Sequence, residues 1–191
     1  AHEKFIKSIF SAFFFIFNFF FYFETVSYGA QDSFRLPFLH SWSLSVEEQF
    51  YLIFPFMFLI GVKFLKRHYF IVFLMILTFS LLFAEIMTFY NKELNFFNTL
   101  SRIWELLFGS MVGLFRIYFV KSTRYEFHSI LSFFGISLIF ISLVIFGTQT
   151  AHPGFITLLP VLGTSLVIIY SSKRETIGKI LSISPLVHLG L

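Results

Sequence analysis

No cysteine occurs in the 191 residues, which excludes disulfides and thiolate metal sites. Charge is scarce as well. Only 13% of residues are Asp, Glu, Lys or Arg, about half the share of a soluble domain, while 57% are hydrophobic and the mean hydropathy is +0.84. So little charge cannot coat a soluble globule, and so much apolar surface excludes disorder, which needs low hydrophobicity and high net charge. A polytopic membrane protein remains, with the bilayer as its solvent. The pI near 9.4 does not point to nucleic acid, because the 14 Lys and Arg sit between apolar runs. The 33 Phe are spread without a repeat, as lipid-facing or core residues are.

Six apolar runs approach the length that crosses a bilayer, roughly Ile6–Phe23, Val46–Val62, Tyr69–Tyr90, Ile103–Val120, Ser129–Phe146 and Phe155–Tyr170. A seventh segment, Ile177–Leu191, is short and mixed, and is expected to be a surface helix leading into a further span. The runs do not alternate apolar with polar, which argues against barrel strands. The expected fold is therefore all-α, a transmembrane bundle of about six spans and a partial seventh. Residues 1–191 are expected to be an internal piece of a longer membrane protein, since the sequence starts at Ala1 and stops at Leu191 within an apolar stretch.

Cations alternate between the loops. Lys4, Lys7, Lys63, Lys66, Arg67, Arg116, Lys121, Arg124, Lys173, Arg174 and Lys179 fall on one side, and only Arg35, Lys92 and Arg102 on the other. The positive-inside rule places the richer side in the cytoplasm. Segments 24–45, 91–102 and 147–154 are then expected outside, in the inner (cytoplasmic) membrane of a multi-pass protein.

The outer segments carry the informative residues. Pro37–Pro55 reads PFLHSWSLSVEEQFYLIFP. Ser45 followed by Glu48 resembles a capping box that starts the second span near Ser45. Glu47 lies about 100° around the helix from Glu48, so one carboxylate is spare, and two charges entering a membrane are costly. His40 has no partner at metal-ligand spacing, so no metal is expected. In FNTLSRIWELLFGSMVGL, Arg102 and Glu105 are three apart and can pair, while Gly109 and Gly113 offer a small-xxx-small face for close helix contact. In HPGFITLLPVLGTSLVI, Pro153-Gly154 makes a turn, and Pro160 with Gly163 is expected to kink the sixth span. Asn18 and Glu85, polar residues at membrane depth, are expected to hydrogen-bond between helices.

These three blocks, in this order, closely resemble the acyltransferase-3 family of integral membrane acyltransferases, with Asn18 in SAFFFIFNFFFY matching the segment upstream. The resemblance covers nearly the whole chain. It is nearest to the subgroup that modifies bacterial cell-surface polysaccharides, such as lipopolysaccharide. It implies about ten transmembrane helices and transfer of an acyl group, usually acetyl from acetyl-CoA, to a sugar hydroxyl of an exported glycan. No bound cofactor is implied beyond that acyl-CoA donor; the partners are membrane lipid, donor and glycan acceptor. The family's early helix with an arginine and a histidine has no match here, nor has its later Ser-Tyr-Ser-Leu-Tyr-Leu-Trp-His block, so the 191 residues alone are expected to be inactive. Carried over, His40, Glu47, Arg102 and Glu105 are the catalytic candidates, and Trp42, Ser43, Glu48 and Trp104 the substrate-binding ones. Glu47 or His40 could act as base or position the absent histidine, and Arg102 could stabilise an oxyanion or hold a donor phosphate. A transporter or flippase of a lipid-linked sugar fits the composition equally well, although inverted repeats are not evident. A structural membrane subunit, with polar residues that only cap and pair, is a third possibility.

Overall fold

A computed structural model describes residues 2–28, 41–119, 125–147, 150, 152–171 and 176–190. Among these the regular elements are all helical. In chain order they are α1 (His2–Phe13), α2 (Phe17–Tyr28), α3 (Ser41–Ile60), α4 (Tyr69–Tyr90), α5 (Lys92–Phe97), α6 (Thr99–Phe119), α7 (Tyr125–Ile145), α8 (Leu158–Tyr170), α9 (Thr176–Leu181) and α10 (Ser184–Leu189). A π turn (Gly61–Leu65) and a 3-10 turn (Lys66–His68) join α3 to α4, and a second 3-10 turn (Phe155–Thr157) leads into α8.

Among the described residues, two helical stretches are long and apolar enough to cross a membrane: Ser41–Leu65, of 25 residues, and Tyr69–Tyr90, of 22. At about 1.5 Å per residue, α4 alone matches a hydrocarbon core of about 30 Å. Its ends coincide with the apolar run in the sequence, because Asn91 adopts an extended backbone and stops the helix. Pro55 stays inside α3, as membrane helices tolerate when neighbours satisfy the freed backbone groups. Residues 129–145 and 155–170 are shorter apolar helical stretches.

The chain divides into two units. The first, Ala1–Leu107 with Ala151–Phe155, holds α1 to α5 and the start of α6. Its buried side chains include Phe17, Phe21, Phe73, Leu77, Ala84 and Trp104. The run Ile6–Phe23, expected as one span, is two helices here. Phe15 takes a left-handed backbone (φ 55°), and Ile16 N–H reaches back to Ser11 carbonyl at 2.9 Å instead of continuing the ladder. A left-handed phenylalanine is uncommon, and the partners of the break account for it. Gln49 donates to the Phe15 carbonyl, and the fully buried Asn18 donates to Phe97 carbonyl at 3.0 Å. Polar bonds across elements thus replace backbone bonds along one helix.

The second unit, Phe108–Thr150 with Ile156–Leu191, centres on α7 packed along α8, with α9 against α7. Gly135 and Gly163 make that packing possible: a Cβ on either would lie 2.7 Å from the other's carbonyl oxygen. The small-xxx-small face at Gly109 and Gly113 is open among the described residues, where a Cβ on either meets no heavy atom within 4 Å. Pro160 and Gly163, expected to kink the sixth span, do not interrupt α8. Pro160 falls in the first turn of a continuous helix, where its missing N–H would have no intrahelical partner anyway.

Candidate functional site

The site starts from a cap. Asn91 Oδ1 accepts from Leu94 N–H at 2.8 Å and opens the six-residue helix α5. That helix presents Phe96 and Phe97 side by side and leaves its last carbonyls without helical partners. Asn98 then turns extended, its Oδ1 accepts from Leu100 N–H at 3.0 Å, and α6 begins. Arg102, one turn into α6, reaches back so that its Nε donates to Phe96 carbonyl at 3.0 Å. A cation is favoured at the carbonyl end of a helix.

The guanidinium lies against a pair of aromatic rings. Its Cζ is 4.8 Å from the Trp42 ring centroid and 5.1 Å from that of Phe96, both within cation–π range. The rings themselves touch, at 4.6 Å for Trp42–Phe96 and 5.4 Å for Trp42–Phe97. Nη1 stands 3.6 Å from Glu105 Oε2, with the two side chains 19% and 24% exposed. Arg102 therefore points into packed surroundings with a carboxylate as its ion-pair partner. Its Nη2 has no partner among the described residues.

Two polar clusters hold these pieces. Gln49, directly after Glu48, donates to Phe15 carbonyl and to Asn18 Oδ1 (3.1 Å), and it accepts from Thr99 Oγ1. Asn18 also donates to Thr99 Oγ1 at 3.2 Å. One amide thus ties α3 to the α1–α2 break and to the first residue of α6. In the second cluster, Asn95 Nδ2 donates to Pro153 carbonyl (2.8 Å) and Thr88 Oγ1 (3.0 Å), while Phe155 N–H donates to Glu85 Oε2 (2.8 Å). A Cβ on Gly154 would come within 2.8 Å of that carboxylate oxygen, so the Glu85 side chain would have to shift to admit one. This anchoring sets the His152 ring against Phe96, centroids 5.5 Å apart.

Of the sequence candidates, Trp42, Arg102 and Glu105 come together. Glu47 and Glu48 do not join them: both are half-buried and make no ion pair or hydrogen bond among the described residues. The capping box is corrected as well. The helix already runs from Ser41, and Ser45 Oγ donates to the Ser41 carbonyl at 3.2 Å, so Ser45 sits one turn inside α3 rather than at its cap. Ser43 is half-buried. Trp104 is fully buried, with its backbone N–H on Ser80 Oγ at 3.1 Å and no partner for Nε1 among the described residues. His40 lies outside the described residues. Asn18 and Glu85 do hydrogen-bond between elements, as expected. Gln49, Phe96 and His152 were not among the sequence candidates. Gln49 had a signal, an amide facing an apolar run; Phe96 is one Phe among 33.

The family model described as an acyltransferase domain matches residues 8–190. A Haemophilus influenzae protein whose printed name is "Uncharacterized protein" is 30% identical over 148 residues, 73% of this chain and 60% of the relative. Peptidoglycan O-acetyltransferase OatA of Listeria monocytogenes is 40% identical over 72 residues, 35% of this chain and 11% of the relative. The aligned part of the chain thus spans well under two thirds of either relative's length. No solved structure matches. With its family model aligned from before α2 to the end of α10, the chain belongs to the acyltransferase-3 family of membrane acyltransferases.

Proposed function

We propose that the whole protein is a multi-pass O-acyltransferase of the cytoplasmic membrane that moves an acyl group, acetyl by preference, from acyl-CoA to a hydroxyl of an exported cell-surface glycan. In this scheme the six apolar runs cross the bilayer and the Arg102 cluster faces the exported side. The acceptor oxygen bonds to the acyl carbon, the hydroxyl proton passes to a base, the thioester C–S bond breaks, and the coenzyme A thiolate takes up the proton from that base and leaves as the thiol. Glu47 or His40 serves as that base or orients it. Arg102 stabilises the oxyanion that develops on the acyl carbonyl, with Glu105 fixing its guanidinium. Ser43 and Glu48 contribute to substrate binding, and the buried Trp104 supports the helix that carries Arg102 and Glu105.

The observation that best supports this proposal is the meeting of two distant motif blocks at one cation. Trp42, from the first block, and Glu105, from the second, both contact the Arg102 guanidinium. The OatA relative, a peptidoglycan O-acetyltransferase by name, supports acetyl as the group and a glycan as the acceptor.

The test uses the full-length protein in membrane vesicles with acetyl-CoA. Arg102→Lys keeps the charge but loses the planar fork and its stacking, so it is not conservative here. Transfer is expected to fall by about 10²-fold or more at normal protein level, the scale of a lost oxyanion donor. Wild-type rates in Arg102→Lys would remove Arg102 from the chemistry.

A further inference from the structure

We infer that the aromatic shelf beside Arg102, made by Trp42, Phe96 and His152, is the acceptor's sugar subsite, and that His152 belongs to it. This rests on the proposed acyl transfer to a glycan and says which substrate the Arg102 cluster meets. Three observations carry it. First, Arg102 is paired: Glu105 Oε2 lies 3.6 Å from Nη1, so the pair has no net charge. A donor phosphate placed on the guanidinium would face that carboxylate at close range, where like charges repel. A neutral ligand meets no such penalty. Second, the guanidinium keeps a donor in reserve. Nη2 has no partner among the described residues, which suits a hydroxyl oxygen that accepts. Third, the surrounding groups are rings. Trp42 and Phe96 centroids are 4.6 Å apart and His152 follows at 5.5 Å from Phe96, with His152 exposed. The negative face of an aromatic ring attracts the weakly positive C–H groups of a pyranose, and apolar walls with a few fixed polar groups are the common form of a small-molecule site.

His152 is placed for this by the backbone that follows it. Asn95, next in sequence to Phe96, holds Pro153 carbonyl, and Glu85 holds Phe155 N–H. The ring of His152 is the part that matters here, rather than its charge.

The test measures acyl transfer by the full-length protein in proteoliposomes. The probes are acetyl-CoA and de-O-acylated envelope glycan from the cells that make the protein. His152→Ala is expected to raise the KM for glycan about three- to tenfold, the size of one aromatic contact. The KM for acetyl-CoA should stay within about twofold. His152→Phe should restore the glycan KM. Should His152→Ala fail to accumulate, His152→Leu, which keeps bulk without an aromatic face, is read in the same way. A rise confined to the acetyl-CoA KM would assign the shelf to the donor and overturn the inference. So would an unchanged glycan KM, or a failure of Phe to restore it. Absence of any transfer by the wild type would instead overturn the proposed function.

Discussion

Arg102 carries the strongest residue-scale argument. Four different groups fix it: Phe96 carbonyl, Glu105, and the rings of Trp42 and Phe96. A guanidinium held this way is preorganised, so in the proposed transfer it need not reorient as charge develops on the acyl oxygen. Glu47 differs, since no described residue pairs with it. A half-buried carboxylate without a partner in the second turn of α3 is costly as mere structure. Glu47→Gln in the full-length protein keeps shape and removes charge. Glycan acylation should drop by about 10²- to 10⁴-fold, typical of an acid–base group, while protein level stays near normal. Full acylation in that variant would reduce Glu47 to a structural role.

At the scale of elements, two contacts decide stability. Gln49 joins α3 to the α1–α2 break and to α6 through Phe15, Asn18 and Thr99. Gln49→Leu would take a partner from the buried Asn18 amide oxygen and from the buried Thr99 hydroxyl, and a buried polar group left unsatisfied costs about 1–3 kcal/mol. A lower melting temperature in detergent is expected, and an unchanged one would show that the network is dispensable. In the second unit, Gly135→Ala and Gly163→Ala each push a methyl into a backbone carbonyl 2.7 Å away. Overpacking of this kind costs about 1–3 kcal/mol. Gly109→Ala is the control, with open space around its Cβ, and should be neutral or stabilising by up to about 1 kcal/mol. Equal melting shifts in all three variants would contradict the assigned contact. These elements also show what a sequence can reveal. The run Tyr69–Tyr90 was legible to the residue, because an unbroken apolar stretch ends at Asn91. The break at Phe15 was not, because the Phe-rich run has uniform hydropathy and the cause lies in Gln49, 34 residues away. Gly109 and Gly113 matched a motif, whereas the working pair, Gly135 and Gly163, sits on two different helices, which no local spacing can reveal. At the site, the i, i+3 spacing exposed Arg102–Glu105, but the shelf of Phe96 and His152 depends on a turn anchored from α4 and α5.

For the whole molecule, the proposed topology places the α3–α4 turn in the cytoplasm and α5 on the opposite side. The chain has no cysteine, and both Lys66 and Lys92 are exposed. Lys92→Cys should therefore react with an impermeant thiol reagent in intact cells, and Lys66→Cys should not; the reverse pattern would invert the site. The orientation matters because acyl-CoA is cytoplasmic and the proposed acceptor is exported. Transfer across the membrane is thus the central claim, and vesicles test it most directly. Inside-out vesicles carrying the full-length protein and lumenal envelope glycan would be given acetyl-labelled acetyl-CoA from outside. The account predicts ester-linked label on the enclosed glycan, largely lost in Glu47→Gln and Arg102→Lys vesicles. An unlabelled glycan at normal protein level, or label that persists in both variants, would contradict it.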